Sequence, residues 1–157
     1  MMTEIGLMRS FAATLAALLA SACDEVVHER YADFPAAKNA GAIERGWLPA
    51  FVPSSAYDIR EEHDLDNAAQ ILSFRLPPAD MPAILVGLKR APDSEAKVTR
   101  KVIAATDWKS DRAHITVYQA CRKGDAAALA VNTRTGAAFY RAPVKWRSDP
   151  CPAELAT

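Results

Sequence analysis

The sequence predicts an α+β fold, with an antiparallel sheet of about five to six strands and two or three short helices on one face or end. Three observations carry that expectation. Residues 57–63 and 70–76 alternate polar and apolar side chains on either side of a turn-rich stretch, as a hairpin does. Residues 114–122, 126–133 and 139–142 alternate in the same way and are joined by short turns, which reads as a three-stranded meander. Asp33 and Asp80 each precede an apolar run with a proline in its first turn, the signature of a capped short helix.

Taken in order, the chain begins with a segment that sets its address. Arg9 gives a positive start, residues 11–20 are apolar or small apart from Thr14, and Ala20, Ser21 and Ala22 place small side chains before Cys23. That layout is a secretory signal, too short to span a bilayer. Glu4 offsets Arg9, which makes Met8 an alternative start to Met1. Residues 20–23 resemble a bacterial lipobox, with alanine at the position most lipoproteins fill with leucine. The resemblance implies a diacylglycerol thioether on Cys23, cleavage before it, acylation of the new amine and anchoring in a bacterial membrane, facing the periplasm. It also implies inner-membrane retention, through Asp24. The alternative is an ordinary signal peptide followed by an incidental cysteine. On this reading residues 1–22 are removed, 23–32 form a lipidated tether with a helical tendency through Val27, Tyr31 and Phe34, and 33–157 form one domain.

Composition narrows the function. The chain has 157 residues and zero net charge without a basic tract, which argues against nucleic acid as a partner. Charge is unevenly spread. Residues 24–66 hold ten acidic against four basic residues, a net of −6, and residues 67–157 hold eight against fourteen, a net of +6. Two solvated faces or a docking dipole both fit. Three cysteines are present. With Cys23 lipidated, Cys121 and Cys151 remain, and an oxidising periplasm favours a disulfide between them, a loop closure contributing roughly 3–4 kcal/mol. The competing reading is a nucleophilic cysteine paired with His63 or His114, for which neither CRKGD nor DPCP offers a frame.

Asp33 caps a helix whose buried stripe is Ala36, Ala37, Ala40 and Ile43 and whose stop is Gly46, with Gly41 a weak point inside it. Pro49 and Pro53 then force an extended path, and Trp47, Leu48, Phe51 and Val52 are too apolar for a free linker. The strap they form is expected to lie on the core. The alternating strand 57–63 puts Tyr57, Ile59, Glu61 and His63 on one side. Residues 46–74 carry Gly46-Trp47-Leu48-Pro49, then Pro53, Ser55, Ala56 and Ile59, then His63, Leu65, Asp66 and Asn67. This series resembles a group of small bacterial proteins, many of them lipoproteins, that share a GW-(I/L)-P, P-x-SA-x-x-I and H-x-LDTN pattern. The threonine of that last motif is absent here. The resemblance implies a shared domain and no particular chemistry.

A short helix is expected from Asp80 to Arg90, a strand over 98–105, a loop holding Trp108, and a tail held by Trp146 and Cys151. The densest polar cluster is Glu61, Glu62, His63, Asp64, Asp66 and Asn67. It reads as an exposed hairpin tip. Alternatively it binds a hard cation or small ligand, or acts as an inhibitory module together with the strap and Trp47; it lacks the glycine and closing glutamate of an EF-hand. A hydrolase built on His63 and its carboxylates is a further alternative, but Ser54 and Ser55 lack a nucleophile elbow and no glycine loop cradles phosphate. The sequence therefore points to no enzyme, cofactor or metal. It points to a lipid-anchored envelope protein that binds another envelope protein or a cell-wall component.

Overall fold

A computed structural model describes residues 26–97, 114–122, 124–147 and 150–151. The elements are β1 (Val26–Asp33), α1 (Phe34–Asn39), β2 (Tyr57–Asp64), β3 (Gln70–Arg75), a 3₁₀ segment (Pro78–Leu85), β4 (Lys89–Arg90), β5 (Ile115–Arg122), β6 (Asp125–Asn132) and β7 (Ala137–Ala142). They build one seven-stranded antiparallel sheet in the order β1-β2-β3-β7-β6-β5-β4. This corrects the expected α+β fold of five to six strands: helices are few and the sheet dominates.

Two elements account for the difference. Residues 26–33, read as part of a tether, are edge strand β1, with Val27, Glu29 and Tyr31 opposite His63, Glu61 and Ile59 of β2. Val27 and Tyr31, four residues apart, fit a strand as well as a helix and share an inward face with Glu29. Pairing with β2 settles the matter, and Phe34 opens α1. The stretch expected as a helix from Asp80 stays 3₁₀, with Pro82 inside it lacking the N–H that an α-helix would bond back to Pro78. Lys89 and Arg90 then pair with Gln119 and Tyr118. Residues 93–97 are helical. The expected strand 98–105, Trp108 and the signal with Cys23 lie outside the described residues. No helix among the described residues is long and apolar enough to cross a membrane.

Asp33 caps α1 as expected, its carboxylate accepting from the Ala36 N–H at 2.9 Å. The helix ends earlier than Gly46, at Gly41. With φ +75°, Gly41 takes the left-handed turn, its N–H bonds the Lys38 carbonyl, and Ala42 N–H reaches back to Ala37. Those two bonds satisfy the helix's last carbonyls in a Schellman motif. Glycine in that position is a stop signal, and it frees residues 42–56 to cross the sheet as the strap.

One face of the sheet carries the larger core. Leu48, Val52 and Ala56 of the strap, Ile59, Leu72, Phe74 and Tyr140 of the sheet, and Met81 of the 3₁₀ segment are all buried there. Phe51 lies 5.1 Å from Tyr140 and 6.4 Å from Phe74, ring centre to ring centre. The opposite face has a smaller core of Ala91, Ala96, Ile115, Val117, Ala130 and Phe139, with Ile71 and Trp146 against it. The strands in the middle of the sheet are thus covered on both sides. Trp146 donates from Nε1 to the Ala127 carbonyl at 3.1 Å and fastens the tail. Cys121 and Cys151 form a disulfide, with Cα atoms 5.6 Å apart.

Candidate functional site

The strap and the β2–β3 hairpin bring polar residues together beneath an aromatic cover. Strand alternation turns Ile59, Glu61 and His63 of β2 to the core face, and Gln70, Leu72 and Phe74 of β3 with them. A bulge interrupts the alternation below Ile59. Asp58 adopts φ 47° and the register shifts between Tyr57 and Arg60. Tyr57 therefore faces solvent, 41 % exposed, and does not share the side of Ile59 as the alternation predicted.

The expected exposed tip is corrected at two positions. Glu61 is 3 % exposed and His63 7 %. The Glu61 carboxylate is engaged on both oxygens: Oε2 lies 2.8 Å from His63 Nδ1, and Oε1 accepts from Gln70 Nε2 at 3.1 Å. Gln70 also donates to the Trp47 carbonyl, so one amide ties strap to hairpin. The Trp47 indole covers His63 with ring centres 4.2 Å apart, and the Arg45 guanidinium lies 3.8 Å from the indole centre. Glu29 of β1 sits directly opposite Glu61.

The electrostatics follow from that enclosure. Burial pushes the Glu61 carboxyl above the usual carboxylate range, the hydrogen bonds from His63 and Gln70 partly offset it, and the Glu29 carboxylate adds to the rise. Burial likewise raises the Tyr31 hydroxyl, with Glu29 adding to it and Arg45 opposing it. On the central strands, burial pushes Tyr140 up to about 12.

Of the sequence-expected residues, Trp47, Glu61 and His63 meet. Asp64 does different work: its Oδ1 accepts from Asp66 N–H at 2.9 Å and its Oδ2 from Asn67 Nδ2, holding the β2–β3 turn. Asp66 stays exposed at that turn. Glu62 points to the other face and pairs with His28 at 3.3 Å. No group of three His, Cys, Asp or Glu among the described residues is arranged to hold a metal ion. His63 Nε2 is buried with no hydrogen-bond partner among the described residues, so no hydroxyl or thiol among them is bonded to it.

Glu29, Arg45 and Gln70 were not singled out from sequence. Gln70 had a signal: it occupies an inward position of an alternation otherwise filled by Leu72 and Phe74, and a polar residue there needs buried partners. Glu29 had none while residues 26–31 read as a tether.

A bacterial family model described as the YbbD head domain matches residues 25–75. That span holds β1, α1, the strap, β2 and β3, and therefore the whole Glu61–His63 cluster. No curated protein and no solved structure matches the chain.

Proposed function

We propose that the protein is anchored by lipid on Cys23 at the periplasmic side of a bacterial membrane and works by binding an envelope protein or a cell-wall component, not by catalysis. The observation that carries the anchoring is the cysteine inventory. Cys121 and Cys151 are bonded to each other, which leaves Cys23 at the end of the lipobox-like Ala20–Ala22 run as the third cysteine. A disulfide suits an oxidising compartment, the destination of an exported chain. Two or more acyl chains on Cys23 give stable attachment, at about 0.8 kcal/mol per buried methylene.

Binding in place of catalysis is supported by the closure of the polar cluster. An acid–base pair must present a proton-accepting atom to a substrate. Here both Glu61 oxygens are committed inside the fold, and His63 lies under Trp47. These residues hold the strap to the hairpin, and partners are left to the outer surfaces.

The test is Cys23→Ser in the producing bacterium. The variant is expected to accumulate as uncleaved precursor or as soluble protein. A Cys23→Ser protein that still fractionates with membranes at the mature mass would overturn the anchoring.

A further inference from the structure

We propose that the domain stands on the membrane on one particular end of its sheet, with Leu65 entering the headgroup layer. This rests on the Cys23 anchor proposed above and adds an orientation to it. Strand β1 starts at Val26, three positions after Cys23. Three residues of chain reach at most about 10 Å. A lipidated Cys23 therefore holds the Val26 end of β1 beside the headgroups.

The register identifies what shares that end. Val26 pairs with Asp64, the last residue of β2, and the turn to Gln70 follows. Gln70 pairs with Ala142, the last residue of β7, and Arg122 pairs with Asp125 across the β5–β6 turn. Arg122 Nη1 donates to the Ala68 carbonyl at 3.3 Å, so the two turns are tied into one surface. Leu65 stands out of it, 61 % exposed. The Asp64 carboxylate beside it is turned inward onto the turn's own N–H groups. With the turn's backbone N–H groups bonded to Asp64 and Asn67, the Leu65 side chain is the apolar group this end offers to the boundary between headgroup and acyl chain.

Charge fits the same occupant. Asp66 and Asp125 outnumber Arg122 on this end among the described residues, a balance that opposes a uniformly anionic surface and suits a zwitterionic headgroup layer. Among the described residues the other strongly exposed aliphatic side chain, Val86, precedes β4 at the sheet edge opposite β1. The far end of the sheet, with Tyr57, Arg75 and the 133–136 turn, lies about 24 Å away along the strands and faces the periplasm.

The experiment uses mature lipidated protein in phosphatidylethanolamine–phosphatidylglycerol vesicles. A fluorophore is attached through Leu65→Cys, through Asp66→Cys as a second turn position, or through Tyr57→Cys at the far end. Quenching by a nitroxide carried on the lipid headgroup is then read after flotation. Quenching at Leu65 and Asp66 several-fold above that at Tyr57 is expected, and it should survive high salt. Protein that floats with the vesicles but quenches equally at both ends, or more at Tyr57, overturns the orientation while sparing the anchor. Protein that does not float overturns the anchor and the orientation with it.

Discussion

The β1–β3 half and the β5–β7 half of the sheet bury their strands by opposite means. In β1–β3 the outward face is largely wet, with Ile71 of β3 the residue that packs on the smaller core. The alternation is plain to read, and the inward face spends three of its positions on Glu61, His63 and Gln70, which bond one another and the strap. In β6 and β7 both faces are covered, and nearly every residue is buried, most of them small: Ala127, Ala128, Ala130, Ala137, Ala138 and Ala142. The first half is held by specific polar contacts under an aromatic cover. The second is held by close backbone packing, a disulfide and a hairpin turn. The difference implies that the C-terminal half fails through sterics and covalent loss, and the N-terminal half through loss of a partner.

The largest effect is expected at Gly136 in the β6–β7 turn. A Cβ there would sit 1.9 Å from the Leu76 carbonyl oxygen, and φ is +70°. Gly136→Ala is expected to cost more than ~3 kcal/mol in denaturant unfolding, since a backbone clash adds to the left-handed strain. Loss of the disulfide comes next. Cys121→Ser with Cys151→Ser opens a link across 30 residues, which the chain-entropy model puts at roughly 3–4 kcal/mol. Mass spectrometry of alkylated, unreduced mature protein checks the premise, with no alkylated thiol expected at either position. The smallest effect belongs to Asp33→Ala, which removes a helix cap at an exposed site and is expected to cost ~1 kcal/mol. A melting series over these variants would break the comparison if the cap cost more than the disulfide.

Legibility followed the same division. The hairpin 57–76, the meander 115–142, the Asp33 cap, the buried strap and the Cys121–Cys151 link could be read, because each has a local cause: alternation, a capping carboxylate, prolines among large apolar residues, or two cysteines left over. Edge strand β1 could not, because Val27 and Tyr31, four residues apart, fit a helix and a strand alike, and only pairing with β2 decides. The helix α1 is shorter than the sequence predicts because Gly41, a weak point inside a longer helix, is the residue that ends this one. The site was legible at Trp47, Glu61 and His63 only, since Asp64 and Asp66 stand at the turn and Gln70 and Arg45 complete the cluster, and the placement of Glu61 and His63 differs from an exposed tip. Glu61 and His63 were seen as a pair, but a charged stretch looks like a solvent-exposed tip until Gln70 and Trp47, far along the chain, are known to close over it.

Enclosure also sets a pH dependence. A carboxyl whose pKa is raised on folding is favoured in its protonated form by the folded state. Glu61 therefore contributes full stability below its ordinary value of 4.5, and that contribution is lost as pH rises through the raised folded value. Glu61→Gln keeps the neutral shape and should flatten this slope.

The most direct test of the claim that Glu61 and His63 are structural is a double-mutant cycle with Glu61→Gln and His63→Ala, read by denaturant unfolding at neutral pH. His63→Ala alone is expected to cost roughly 1–3 kcal/mol, because it leaves one oxygen of the buried Glu61 carboxyl without its partner. In the Glu61→Gln background the same change should cost less by at least ~1 kcal/mol, a coupling beyond the ~0.3–0.5 kcal/mol within which independent sites add. A His63→Ala protein as stable as the wild type, or a cycle that closes additively, would contradict the account.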